Sequence, residues 1–216
     1  MVECGLVLLT WGNVSAYDKE QGVVAIKPSG VPYEKMTADD IVVIDLDGKR
    51  VEGGLRPSTD TATHLEIYKA FPQIGSVIHT HSKWATIWAQ MRTDMPCLGT
   101  THADFFAGSV PCTREIKDAE INENYEKITG QIVVETIQKR EQNPLRVPGI
   151  FVYGHAPFTW GKDVESAVRN SIVLERIAEM NYYTLFNSQA PAPLKQSIIA
   201  KHYNRKFGPD AYYGQK

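Results

Sequence analysis

The amino-acid sequence predicts a mixed β-sheet covered by helices, of the α/β or α+β class. Three observations carry that expectation. Short β-branched and apolar segments crowd the first half of the chain. A four-residue recurrence of apolar side chains runs through the second half. No repeat, low-complexity stretch or Pro/Gly/Ser linker cuts the 216 residues, so one domain spanning 1–216 is expected. That length can bury a sizeable core without disulfide or metal staples.

Taken in order, residues 6–10, 13–16, 23–26, 41–45 and 50–52 read as strands, and Asp47-Gly48 is a hairpin signal between the last two. Ser58-Thr59-Asp60-Thr61 offers caps for a helix over 64–71, which Pro72 closes. Residues 76–81 read as a strand because β-branched and apolar side chains follow Gly75. Ser82 then caps a helix reaching Gln90, and a longer helical segment follows Asp118. Residues 149–153 form another strand, with 158–160 placed to pair with it. The longest helix starts near Asp163: Val164, Val168 and Ile172 recur at four-residue spacing, Ile177 and Ala178 continue the stripe, and Pro191 and Pro193 end it. A last helix carries Ile198, Ile199 and His202.

Composition excludes several classes. Hydrophobic residues are 43% and charged residues 22%, the balance of an ordinary globular chain rather than a disordered one. Lys+Arg 23 against Asp+Glu 25 gives a net charge of −2, scattered along the chain. With no basic stripe to neutralise a phosphate backbone, nucleic acid is not expected as a partner. The longest aliphatic runs, 6–9 and 41–44, fall far short of the ~20 residues that cross a bilayer, so no membrane partner is expected. Residues 6–9 followed by Val14-Ser15-Ala16 imitate a secretion signal, but Glu3 precedes them without any Lys or Arg, and Trp11-Gly12-Asn13 breaks the apolar run. Cys4, Cys97 and Cys112 are odd in number and show no paired spacing; free thiols in a reducing cytoplasm are expected.

The sharpest local signal is His79-Thr80-His81. In a strand, residues i and i+2 point to one face, so two imidazoles converge on one point, a metal-ligand spacing. Alone, such a pair is as often structural as ligating. Its company matters: His155 sits in Tyr153-Gly154-His155-Ala156-Pro157, at the end of another strand-like segment. Three histidines with an open fourth position form the pattern of a catalytic zinc site. His64 falls inside a helix and reads as structural, and for Asp104, after His102-Ala103, the sequence alone favours a helix cap.

Three turns are anion candidates. Lys27-Pro28-Ser29-Gly30 offers a cation, a hydroxyl and a freed backbone amide. Ser58-Thr59 stands at a helix start, where unpaired N–H groups and the helix dipole attract anions. Gly12-Asn13 adds a third tight turn. Each alone is also an ordinary turn or cap. No two glycines stand at the i, i+2 spacing of a dinucleotide fingerprint, so NAD is not expected.

Taken together, Thr10-Trp11-Gly12-Asn13-Val14-Ser15, Lys27-Pro28-Ser29-Gly30, Pro57-Ser58-Thr59-Asp60-Thr61, His79-Thr80-His81, Gly99-Thr100-Thr101-His102-Ala103-Asp104, Pro111-Cys112-Thr113-Arg114 and Ala211-Tyr212-Tyr213-Gly214-Gln215 resemble the class II aldolase/epimerase superfamily, most nearly its ketopentose-5-phosphate 4-epimerases. The resemblance runs from about Gly5 to the last residues. It implies a single domain with a mixed, mainly antiparallel sheet sandwiched between helices. His79, His81 and His155 would bind Zn²⁺ (or Mn²⁺ or another divalent ion), with Asp60 at the metal's edge. Gly12, Asn13, Ser29, Gly30, Ser58 and Thr59 would hold the phosphate of a phosphorylated sugar, with Lys27 nearby and Thr100, His202 and Arg205 also at the substrate. Asp104 and Tyr213 would be the acid/base pair. The family's C4 homotetramers place their sites at subunit interfaces, so Tyr213, His202 and Arg205 would reach a neighbour's site, and Asp104 and Tyr213 would come from different chains. The family's helix ahead of the first strand is expected to be missing or shortened here. Tyr153 stands where a histidine is frequent, which alters a contact beside His155 but leaves the ligand set whole.

The chemistry implied fits those residue types. The C4 hydrogen of a 2-ketopentose phosphate is not acidic, so inversion at C4 needs either transient oxidation or cleavage of C3–C4. The missing dinucleotide fingerprint disfavours oxidation. A metal held by three neutral imidazoles keeps its full charge to polarise the C2 carbonyl and stabilise the enediolate left by cleavage. Competing readings are a class II sugar-phosphate aldolase, whose members tend to carry Glu where Asp60 stands; a metallohydrolase, which would not need the phosphate loops; and a non-catalytic module like the adducin head, against which the intact ligands and acid/base residues argue.

Overall fold

The structure, a computed structural model, describes residues 1–187 and 191–214; Gln215 of the tail motif lies outside them. Four strands open the fold: β1 (Asn13–Asp18), β2 (Val23–Ile26), β3 (Val42–Asp45) and β4 (Arg50–Glu52). Then come α1 (Thr61–Ala70), β5 (Ser76–His79), α2 (Lys83–Met91), the single-turn helices α3 (Thr100–Ala103) and α4 (Asp118–Ile121), and α5 (Tyr125–Lys139). The chain continues through β6 (Gly149–Phe151), β7 (Pro157–Gly161), α6 (Val164–Phe186) and α7 (Gln196–Phe207). Among the described residues, these strands form one seven-stranded sheet in the order β4-β3-β2-β1-β5-β7-β6, with every pairing antiparallel. A parallel contact is made by the isolated bridge between Cys112 and Phe151.

Helices cover both faces. On one, α1 and α5 pack Leu65, Ile67, Tyr68, Val133 and Ile137 against Val24, Ile44, Val77, Phe158 and Trp160 of the sheet. On the other, α2 and α6 pack Ala85, Trp88, Leu174 and Ile177 around Phe151. The carboxylate of Glu175 in α6 accepts the N–H groups of Trp84 and Ala85, each at 2.9 Å, so α2 is capped from another helix; the expected Ser82 is its N-cap residue but its side chain makes no capping bond. A sheet between two layers of helices is the architecture that the sequence predicts, and its strand pairings are antiparallel throughout.

Expectations at 6–10, 76–81 and 149–153 need correction; the strand expected over 149–153 ends at Phe151, before the turn at Gly154. Residues 6–10 are not a strand. β1 already pairs with β2 on one edge and β5 on the other, so a segment just before it finds no free partner. Positive φ at Gly5, Leu9 and Gly12 turns the chain instead, leaving Leu6 buried and Leu8 and Leu9 exposed. The strand expected over 76–81 stops at His79, because Ser82 opens α2 and the chain must leave the sheet two residues earlier.

Candidate active site

The site forms at one end of the central strands. Asn13, at the start of β1, pairs with His79 at the end of β5, and His79 pairs in turn with Phe158 of β7. His81 lies past the strand end. His155 comes from the tight turn joining β6 and β7, where Gly154 takes a φ of +67° and the Val152 carbonyl accepts the His155 N–H at 2.9 Å. Thus two strand ends and one turn deliver three imidazoles to one point. Their candidate ligand atoms all lie within 4.8 Å of one another, and the Nε2 atoms of His79 and His81 are 3.1 Å apart.

This donor set fits a divalent metal. The Nδ1–H of His79 donates to the Pro157 carbonyl at 2.9 Å, and since a carbonyl only accepts, the neutral ring presents its Nε2 lone pair to the cluster. The ring stacks on Phe158 with centroids 4.3 Å apart, which fixes its plane. Burial, followed by the proximity of His155 and His81, holds the His79 pKa well below its ordinary value; lost hydration inside the cavity lowers those of His81 and His155. Neutral imidazoles are the form that ligates. Asp60, the N-cap residue of α1, makes no capping bond with its side chain; its Oδ2 instead accepts from Asn13 Nδ2 at 2.6 Å, and its charge acts on both His81 and His155.

The imidazoles line a cavity of about 560 Å³ together with Thr10, Trp11, Gly12, Asn13, Lys27 and Asp60. Pro28, Ser29, Gly30, Ser58 and Thr59 complete its wall. Backbone pairing gathers that wall: Ser29 N–H donates to the Arg56 carbonyl at 2.9 Å and Ser58 N–H to the Lys27 carbonyl at 3.0 Å. The Lys-Pro-Ser-Gly loop is thereby tied to the start of α1. Lys27 is 2% exposed, and among the described residues no carboxylate lies within ion-pair distance of it. Burial lowers its pKa. A buried ammonium with no acidic partner, beside a helix N-terminus, is a seat for an anionic ligand.

The expected site residues fall into two groups. Gly12, Asn13, Lys27, Ser29, Gly30, Ser58, Thr59, Asp60, His79, His81 and His155 meet at the cavity. Thr100, Asp104, His202, Arg205 and Tyr213 are not among its lining residues. Asp104, His202, Arg205 and Tyr213 gather on a separate patch where α3 meets α7, and Thr100 opens α3. Arg205 grips the Asp104 carboxylate with two hydrogen bonds, 2.9 and 2.6 Å, and His202 Nδ1 donates to it at 2.9 Å. Burial opposes ionisation of Asp104, but these bonds and the Lys206 charge hold its carboxyl below the usual carboxylate range. The guanidinium of Arg205 also lies 4.9 Å from the Tyr213 ring centroid, and that ring is exposed. Asp104 and Tyr213 therefore share Arg205 within one chain.

Sequence reasoning missed Trp11, whose ring lies 6.2 Å from that of His81, and Phe158 beneath His79. The pairing of Phe158 with His79 depends on strand register, which no local motif announces. Tyr153 turns away to Arg92, whose guanidinium lies 4.9 Å over its ring. His64 is fully buried, with Nδ1 2.7 Å from Ser15 Oγ in a network reaching Tyr68, as its structural reading predicts. Cys4, Cys97 and Cys112 are free thiols, and no described helix is long and apolar enough to cross a membrane.

The chain matches known proteins along most of its length. The model of the Class II Aldolase and Adducin N-terminal domain family matches residues 1–182. A curated relative from Salmonella paratyphi C (strain RKS4594), L-ribulose-5-phosphate 4-epimerase UlaF, is 54% identical over 212 residues, covering 98% of this chain and 92% of the relative. The protein of the same name from Salmonella typhi is 53% identical over 212 residues, with the same coverage of 98% and 92%. Among solved structures, an L-fuculose 1-phosphate aldolase superposes with a TM-score of 0.78 at 24% identity, covering 94% of this chain and 89% of that one. The L-fuculose-1-phosphate aldolase of Thermus thermophilus superposes with a TM-score of 0.64 at 21% identity, covering 88% of this chain and 92% of that one. At those identities the two structures speak for the fold alone.

Proposed function

Because the chain belongs to the Class II Aldolase and Adducin N-terminal domain family, we propose that it is an isomerase, an L-ribulose-5-phosphate 4-epimerase that interconverts L-ribulose 5-phosphate and D-xylulose 5-phosphate. The observation that carries the reading is the meeting of the three imidazoles and the unpaired Lys27 ammonium in one cavity. His79, His81 and His155 would hold a divalent metal, Zn²⁺ in our reading, with Asp60 at its edge. Bound there, the metal supplies a Lewis acid for the C2 carbonyl of the sugar.

The chain's own residues do the rest. Lys27, the hydroxyls of Ser29, Ser58 and Thr59, and the backbone at Gly12, Asn13 and Gly30 hold the phosphate. A base takes the proton of the C4 hydroxyl, and the C3–C4 bond breaks. The three-carbon fragment keeps the electron pair, and C4 becomes the aldehyde of glycolaldehyde phosphate. Held by its phosphate, the aldehyde turns its other face; the bond re-forms and an acid returns the proton. Two groups on opposite sides of the aldehyde are required, and Asp104 and Tyr213 are the candidates. Since their patch does not line this chain's cavity, a neighbouring copy would bring it, with Thr100, His202 and Arg205 at the substrate, in a C4 homotetramer. The chain would act as one domain in the cytoplasm.

The test is conversion of L-ribulose 5-phosphate to D-xylulose 5-phosphate by purified protein of measured metal content. Turnover dependent on a divalent ion and independent of NAD is expected; absence of D-xylulose 5-phosphate from metal-replete protein would refute the reading. For the anion wall, Ser29→Ala and Ser58→Ala should each weaken substrate binding by about 1–3 kcal/mol, the worth of a hydrogen bond to a charged group. Steady-state KM checks this, and unchanged KM in both variants would put the phosphate elsewhere.

A further inference from the structure

We propose that Tyr33 is a positioning residue of the anion subsite, holding the Lys27 ammonium and the Gly12 turn in the arrangement that receives the substrate phosphate; the proposal rests on the phosphate reading of this cavity. Tyr33 opens a short 3₁₀ turn, Tyr33–Lys35, just beyond the Lys27–Gly30 loop, and is not among the residues lining the cavity. Its ring face lies 4.8 Å from Lys27 Nζ, and its hydroxyl donates to the Gly12 carbonyl at 2.9 Å, with the Trp11 carbonyl 3.3 Å away. One side chain thus touches both of the loops that meet at the anion seat.

The physical need is specific to this lysine. Lys27 Nζ donates to the Pro28 carbonyl at 3.1 Å and lies over the tyrosine ring, and among the described residues no carboxylate pairs with it. A carboxylate in that place would neutralise the ammonium and compete with the phosphate. An aromatic face attracts a cation without neutralising it, and most strongly where both are shielded from water. The hydroxyl has a second task. Gly12 holds a φ of +76°, and a Cβ there would fall 2.6 Å from the His79 carbonyl oxygen, so this turn is pressed against the strand end that carries a candidate metal ligand. Tyr33 pins its carbonyl. Burial pushes the phenol pKa up, so it remains a donor.

The experiment measures KM for L-ribulose 5-phosphate and the competitive Ki of inorganic phosphate on metal-replete Tyr33→Phe, Tyr33→Leu and Lys27→Met. Tyr33→Phe keeps the face and loses the Gly12 bond, so both constants should rise about 3- to 10-fold. Tyr33→Leu loses both contacts, so they should rise about 10- to 30-fold. In both, kcat should stay within about threefold, because the contacts act on binding rather than on the reacting carbons. If Lys27→Met weakens phosphate while both tyrosine variants keep wild-type KM and Ki, Tyr33 positions nothing. If the tyrosine variants lower kcat and thermal stability with Ki unchanged, Tyr33 only supports the fold. If Lys27→Met itself leaves Ki unchanged, the phosphate reading falls and this proposal with it. Should Tyr33→Leu fail to fold, Tyr33→Phe still decides the Gly12 contact, and Tyr33→Met, which keeps bulk and loses the ring face, decides the Lys27 contact.

Discussion

Substitution of His81 by alanine should leave a folded protein that no longer retains stoichiometric metal and whose turnover is about 10³-fold lower or worse, the size of the transition-state stabilisation a Lewis acid supplies. His81 is the informative ligand because it is exposed, so its loss opens no cavity in the core. His79→Ala should have the same effect on metal and activity, with an added cost in stability. That ring is 1% exposed, stacks on Phe158 and donates to the Pro157 carbonyl, so its removal leaves a void and takes away the shorter of that carbonyl's two hydrogen bonds. His155→Ala should fall between the two, its ring being half-buried with centroids 4.9 Å from His79 and 5.1 Å from His81. Elemental analysis of the purified variants, beside kinetics and thermal unfolding, checks all three. Full metal content with full activity in any of them would remove that residue from the ligand set.

The second large effect is expected at Tyr213. Tyr213→Phe keeps the ring that packs against Arg205 and Lys206, 4.9 and 4.4 Å from their charged groups, and removes only the hydroxyl. Folding should survive while kcat falls by about 10²–10⁴, the usual worth of a general acid or base. Mixing separates a role at a neighbour's site from a role at home. Tyr213→Phe and His79→Ala oligomers, each nearly inactive, are dissociated and reassociated together. Some interfaces then join an intact imidazole cluster to an intact tyrosine, and activity should partly return. Proven hybrids with no recovery would mean that Tyr213 serves its own chain's site or none. Asp104 should behave as Tyr213 does in the same mixing, because Arg205 links the two on one chain.

How much of this was legible in the sequence differs by element. The hairpins of the first half were, because their turns and alternation are local: β2, β3 and β4 stand where the residues place them. So was the long α6, whose stripe recurs over several turns. The apolar run at 6–10 misled because a run of Leu and Val states only that burial is favourable. Whether it joins a sheet depends on a free edge, and β1 has none. At the site, the His-x-His pair and the Gly-bounded His155 were legible as candidates, and register brought them together. Phe158 and Tyr33 were not legible. Phe158 acts through cross-strand pairing with a residue far off in sequence, and Tyr33 through a ring face set against a lysine that no spacing rule connects to it. Asp104 was legible as a residue of interest, but its partners on α7 lie about a hundred positions away in the chain, and only folding makes them neighbours.

Inversion by breaking and remaking the C3–C4 bond in this cavity is tested most directly by supplying the two fragments themselves. Metal-replete protein is incubated with dihydroxyacetone and glycolaldehyde phosphate, without added NAD, and the ketopentose 5-phosphates formed are quantified. Slow condensation to L-ribulose 5-phosphate and D-xylulose 5-phosphate, lost in His81→Ala, is the predicted result. No condensation by protein that epimerises the intact substrate, with bound NAD recovered from it, would contradict the bond-cleavage mechanism.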